Sequence, residues 1–238
     1  MVSNLGKRTD PETFVTTARK SAFTHAVLMG DLIASEAAPS VRRLHAEFNK
    51  VIDDANESVT EKPASPLTVT LGDEFQGLFG TMSAALAVMR KMRVRLLEKK
   101  IECRFALGLV KIETALNQTR SWNMMGAGLA AAREKLGDKK QRNAYRFSIP
   151  GDPVTEELMD AVGLSITRVE NAWSDRQLDL AIALYLDKTP NSRMPKKLGV
   201  VDRVYYKIKS AADIDFYDHQ WRVLRNSVRD LDINRLRQ

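Results

Sequence analysis

Apolar and polar positions follow two different periods along this chain. The run "FTHAVLMGD", residues 23–31, is compact and apolar until Gly30 and Asp31 close it, the pattern of a central strand buried on both faces. From Val41 the apolar residues Leu44, Phe48, Val51, Ile52 and Ala55 recur at helical spacing, with Arg42, Arg43, Glu47 and Lys50 on the other side. That spacing predicts an amphipathic helix of about four turns. "EKPASP" then breaks the chain, and Leu67, Val69 and Leu71 alternate as a strand before Gly72-Asp73 turns the backbone into a second one, "EFQGLFG". The period therefore predicts a hairpin with Asp73 at or beside its tip. A second long helix carries Met82, Leu86, Met89, Leu96 and Leu97 on one face. "CRFALGLVKI" reads as a strand, "GAGLAAAREKL" as a small-residue helix that packs closely on a sheet, and "AYRFSIP" as a last strand.

The predicted order is strand, helix, hairpin, helix, strand, helix, strand. It describes an α+β sandwich of the ferredoxin-like or palm type, with helices covering one face of a mostly antiparallel sheet. After "IPGDP" the pattern is entirely helical, which divides the chain into an arm (1–22), a palm-like domain (23–150) and a helical domain (151–238). In the arm, Asp10 and Pro11 mark the start of a short helix.

Charge alters this picture. The net +7 lies wholly in residues 1–150, with 23 basic against 16 acidic side chains, whereas residues 151–238 hold 14 of each. A basic surface of this kind suits phosphates, on a nucleotide or on nucleic acid. No apolar run is long enough for a bilayer span, and the N-terminus has no apolar signal core, so no membrane association and a cytoplasmic location are expected. The single cysteine, Cys103, excludes an intramolecular disulfide and reads as a buried small hydrophobe. His25, His45 and His219 have no metal-ligand spacing. Arg104 and Lys111 read as solvated sheet edges, with a phosphate contact as the alternative.

Asp31 ends the first strand and Asp73 tips the hairpin, and in a palm these two strands are neighbours. Two carboxylates so close repel unless a cation or a proton sits between them. Hard oxygen ligands in small number suit Mg²⁺ or Mn²⁺ shared with the phosphates of a nucleoside triphosphate. Gly72 and Glu74 flank Asp73 and are candidate nucleotide contacts, Glu74 also a candidate metal neighbour or general base and alternatively an ordinary surface hairpin glutamate.

"VLMGDLIAS", "LTVTLGDEFQGLF", "RFALGLV" and "GAGLAAAREKL", in this order, resemble the SatD family of bacterial proteins over about residues 24–150, "TLGDEFQGL" being the most specific element. The palm organisation is also similar to the class III nucleotide cyclases and, more distantly, to the GGDEF diguanylate cyclases. That resemblance implies two-metal chemistry on Asp31 and Asp73, with Arg133 matching the arginine that stabilises the transition state. The sequence departs from it at Val69, where cyclases carry a base-reading lysine, and at Leu129, where they carry an asparagine. Met125 stands where SatD-like chains have an acidic residue. Binding of a nucleotide without turnover is the expectation these departures favour.

In the tail, "WSDRQLDLAIALYLDKTPNSRMPKKLGVVDRVYYKIKSA" has the layout of a helix-turn-helix and resembles the sigma-region-4 type: a helix over 175–186, a short helix ending at Leu198, a turn at Gly199 and a reader helix over 201–210. Residues 188–209 hold seven basic side chains and one acidic. Lys196, Lys197, Arg203, Tyr206 and Lys207 are the candidate contacts to duplex DNA. Pro195 departs from the motif, whose short helix usually holds a small residue with a free N–H there, and is expected to deform the turn. The reading is a cytoplasmic regulator with a metal and nucleotide site and a DNA-binding tail. The alternatives are an active nucleotide cyclase or nucleotidyltransferase whose tail pairs two copies as a homodimer, and a protein-interaction module that has lost both functions.

Overall fold

The computed structural model describes residues 23–57, 61–138 and 142–236. The arm over 1–22, with its anticipated short helix, lies outside the described residues. The fold is α+β, a mixed sheet of six strands with eight α-helices among the described residues.

Strand β1 (His25–Leu32) is central. It pairs antiparallel with β3 (Glu74–Phe79) on one side and β4 (Cys103–Ile112) on the other, and β2 (Ser65–Val69) forms the hairpin with β3. The far edge of β4 takes a two-residue strand, β5 (Gly126–Ala127), and then β6 (Tyr145–Ser148), the only parallel partner in the described sheet. Helices α1 (Val41–Glu57) and α2 (Met82–Glu98) cover one face, packing Phe48, Ile52, Met82, Leu86 and Met89 on Ala26, Leu28, Phe75 and Phe105.

Helices were expected on one face only, but α3 (Leu129–Gly137) lies on the other, with Ala132 and Leu136 against Val27, Met29, Ala106 and Val110. The cause is legible in β1. Ala26 and Leu28 point one way and Val27 and Met29 the other, all buried, so both faces need cover. Gly128 lets α3 approach: its φ is 92°, and a Cβ there would meet the Leu109 carbonyl at 2.4 Å.

The helices after residue 150 serve two cores. α4 (Pro153–Asn171) and α8 (Ile214–Leu231) join the α1–α2 side of the sheet through Met159, Ile166, Tyr217, Trp221, Leu224 and Val228. The helices between them, α5 (Asp175–Tyr185), α6 (Met194–Leu198) and α7 (Asp202–Ala211), surround a separate cluster of Leu180, Ala183, Met194 and Tyr205 that Ala212 and Ile214 complete. Pro195 does not disturb α6. It occupies the first turn, where no intrahelical N–H is required, and Gly199 closes the helix in the left-handed region at φ 63°.

The chain end also clamps the sheet's second helix. Asp232 is buried and accepts from the Met82 and Ser83 backbone N–H groups (2.7 and 3.0 Å) and from the Ser83 hydroxyl (2.5 Å), satisfying the open N-terminus of α2. Asp232→Ala is expected to cost about 1–3 kcal/mol, read as a lower urea midpoint at unchanged slope.

Candidate functional site

The end of β1 brings charge to one edge of the fold. In the sheet register Asp31 stands between Glu74 of β3 and Arg104 of β4. Directly opposite residues on neighbouring strands project to the same face, so these three side chains lie side by side. The hairpin turn adds Asp73. Its carbonyl accepts from the Leu32 N–H (3.0 Å), tying the turn to the end of β1, while Gly72 supplies the positive φ (72°) the turn needs.

Each carboxylate is held by one oxygen. Arg104 Nη2 donates to Asp31 Oδ2 at 2.6 Å, the Ser35 hydroxyl to Asp73 Oδ2 at 2.9 Å, and Arg133 Nη2, arriving from α3, to Glu74 Oε2 at 2.7 Å. Burial raises the Asp31 carboxyl above its ordinary range. Arg104 opposes that rise, and the nearby charges of Asp73 and Glu74 add to it. Arg104 is only 8% exposed, and its buried Nε makes no hydrogen bond among the described residues. It is therefore no solvated edge but the counter-charge of Asp31.

Asp31, Asp73, Ser35 and Arg104 line a cleft of about 550 Å³ at this end of the sheet, which Arg142 joins from the segment before β6 and Thr167 and Asn171 from α4. Among the sequence candidates, Asp31 and Asp73 line the cleft, Glu74 and Arg133 pair with each other beside it without lining it, and Gly72 sits on the open hairpin tip with no described residue near its Cα hydrogens. Val69 packs against the main core and Leu129 against the α3-side core, so neither reaches the cleft. Met125 is exposed. Among the described residues no three His, Cys, Asp or Glu side chains converge closely enough to hold a metal ion by themselves.

The tail candidates lie elsewhere. Lys196, Lys197, Arg203, Tyr206 and Lys207 are exposed on α6 and α7. Lys197 pairs with Asp187 at 2.9 Å, and the Tyr206 ring lies 4.9 Å from that of buried Tyr205.

Ser35 and Arg142, which line the cleft, are not candidates in the sequence, and Arg104 reads there as a solvated edge with a phosphate contact as the alternative. Arg104 becomes significant only through the β1–β4 register, which no local pattern encodes. Cys103, beside it, is buried as expected, and burial pushes its thiol up to about 12, which keeps it protonated and unreactive.

Fold and cleft together define an α+β protein with a carboxylate–arginine cluster in a cleft at the end of a mixed sheet and a separately cored helical unit inserted before its last long helix. The chain belongs to the SatD family, whose family model matches residues 25–217, a span that takes in both the sheet and the α5–α7 unit. No curated protein matches it. No helix among the described residues is long and apolar enough to cross a membrane.

Proposed function

We propose that the sheet-end cleft binds the phosphates of a nucleotide together with a divalent cation, and that the protein is a regulator rather than a catalyst. The observation that carries this reading is the meeting of Asp31 and Asp73 with Arg104 in one cleft, the Glu74–Arg133 pair beside it, at the end of a strand order, β4-β1-β3-β2, that suits a palm. The donor set suits the ion. Asp31 and Asp73 each keep one carboxylate oxygen without a donor among the described residues, and the ligand atoms on offer are hard oxygens. With so few protein ligands, phosphate and water would complete the shell, as Mg²⁺ prefers. The cation would neutralise phosphate charge against the carboxylates. Arg142 at the rim and Arg104, once released from Asp31, offer forked donors to phosphate. Base reading has little support, since Val69 and Leu129 are packed away. Binding with weak base preference and slow or absent turnover follows, and a cyclase or nucleotidyltransferase remains the alternative that turnover would identify.

Thermal shift tests the reading. Mn²⁺ with a triphosphate at about 100 times its dissociation constant should stabilise the native state by about 2.7 kcal/mol, and Asp31→Asn or Asp73→Asn should abolish that gain while keeping the fold. No shift in the wild type with any common triphosphate and either metal would remove the reading. A pH dependence is also expected. Because the folded-state pKa of Asp31 is raised, this carboxyl keeps its proton to a higher pH than in the unfolded chain. Its ionisation therefore weakens the unliganded fold as pH rises through that interval, and cation affinity grows over the same interval before levelling.

A second reading rests on a different observation. The α5–α7 unit has its own core and presents Lys196, Arg203 and Lys207, none of them in an ion pair among the described residues, on the outer surface of its two C-terminal helices. We infer that this unit binds duplex DNA, with α7 as the groove-facing helix.

A further inference from the structure

We infer that a second cleft, between α2, α5 and α8, is a binding site for an aromatic organic anion. It measures about 450 Å³, within the range of small-molecule sites, and its walls divide by chemistry. The floor is apolar and aromatic, made by Leu86, Tyr185, Trp221 and Val228, while Arg90, Lys91, Arg225 and Arg229 surround it with no carboxylate among the lining residues.

Its polar atoms point to a ligand. Trp221 is 1% exposed and its indole N–H lies beside the Tyr217 hydroxyl, and the Tyr185 hydroxyl lies beside Asp218 and Arg90, but the buried Arg90 Nε, from the same lining, makes no hydrogen bond among the described residues. Buried polar groups are nearly always satisfied, so an orphaned Arg90 Nε beside the cleft needs an explanation. That nitrogen can only donate, which matches an acceptor on the guest. Arg90 is also held in place for the task. Its guanidinium stacks over Tyr185 at 4.2 Å and Trp221 at 5.0 Å, and Nη2 is fixed by Asp218 at 2.8 Å. A planar ring would continue this stack, and an anionic group would meet Arg225 and Arg229, which are exposed at the rim. Tyr185 is the last residue of α5, so the guest would lie where the sheet-covering helices meet the α5–α7 unit.

This site is independent of the Asp31 cleft and needs no metal. Calorimetric titration of the full chain with 2-naphthalenesulfonate tests it, with the neutral 2-naphthalenesulfonamide as the shape-matched control. The sulfonate should bind the wild type, and the sulfonamide should bind about ten-fold more weakly or worse, the worth of one charge-assisted contact. Arg225→Glu with Arg229→Glu should weaken the sulfonate by at least about ten-fold, and Ala87→Trp, from an exposed position on the cleft wall, should block it by filling the space. Both variants change exposed positions, and an unaltered circular dichroism spectrum confirms that they fold. Absence of wild-type binding up to about 1 mM, or equal affinity for the anion and the amide, or unaltered affinity in both folded variants, overturns the proposal.

Discussion

Arg93→Ala is expected to destabilise the protein by about 3–5 kcal/mol, a large share of the roughly 5–15 kcal/mol that keeps a typical domain folded. Arg93 of α2 and Glu170 of α4 form a buried ion pair at 2.8 Å, their side chains 4% and 0% exposed. Arg93 also donates to the Cys103 carbonyl, while the hydroxyls of Tyr145 and Tyr217 donate to the other oxygen of Glu170 at 2.5 and 3.0 Å. Burial beside this carboxylate raises both phenols well above their usual range, so they stay donors. Removing the guanidinium leaves a buried carboxylate with phenols alone for company. A urea titration should show a midpoint lower by about 1–3 M at ordinary slopes. Replacing both partners by methionine should recover only part of the loss, because the two tyrosine hydroxyls would then be orphaned. Full recovery in the double variant would mean that the phenols find other acceptors.

The second large effect concerns DNA. Replacing Lys196, Arg203 and Lys207 together by glutamine should weaken binding of the full chain to duplex DNA on the order of 10²-fold at moderate salt. It should also flatten the plot of log affinity against log salt by roughly three units, about one for each lost phosphate contact. Lys197 is left out because Asp187 already neutralises it. Fluorescence anisotropy across a salt series gives both numbers. Equal slopes for wild type and variant would assign these cations to solvent and return α5–α7 to a packing or pairing role.

Local periodicity was a good guide wherever one face of an element meets one core. The hairpin at Gly72, the helices from Val41 and Met82 and the short α6 ending at Leu198 all appear where the pattern puts them. Asp31 and Asp73 were also legible, since charge that ends an apolar strand or tips a hairpin is conspicuous. What the pattern hides is partnership at long range. Arg104 alternates with Ala106 and Gly108 like any outward strand residue, and only the register sets it against Asp31. Glu170 reads as an ordinary polar position near the end of a helix, although it anchors the main core's polar network. Asp232, 150 residues from the helix it caps, has no local signature. The same limit hides the return of α8 to the sheet, because its stripe of Trp221, Leu224 and Val228 would serve any apolar surface equally well.

The carboxylates at the end of β1 and the hairpin carry the functional reading, and Mn²⁺ can be located on them directly. Crystals grown with Mn²⁺ and a non-hydrolysable nucleoside triphosphate, measured near the manganese absorption edge, should give an anomalous peak between the Asp31 and Asp73 carboxylates. Metal–oxygen distances of about 2.0–2.3 Å are expected, with a phosphate oxygen in the same shell and Arg104 turned from Asp31 toward that phosphate. A nucleotide bound elsewhere, or no manganese peak at these residues with Arg104 still closed on Asp31, would contradict the account.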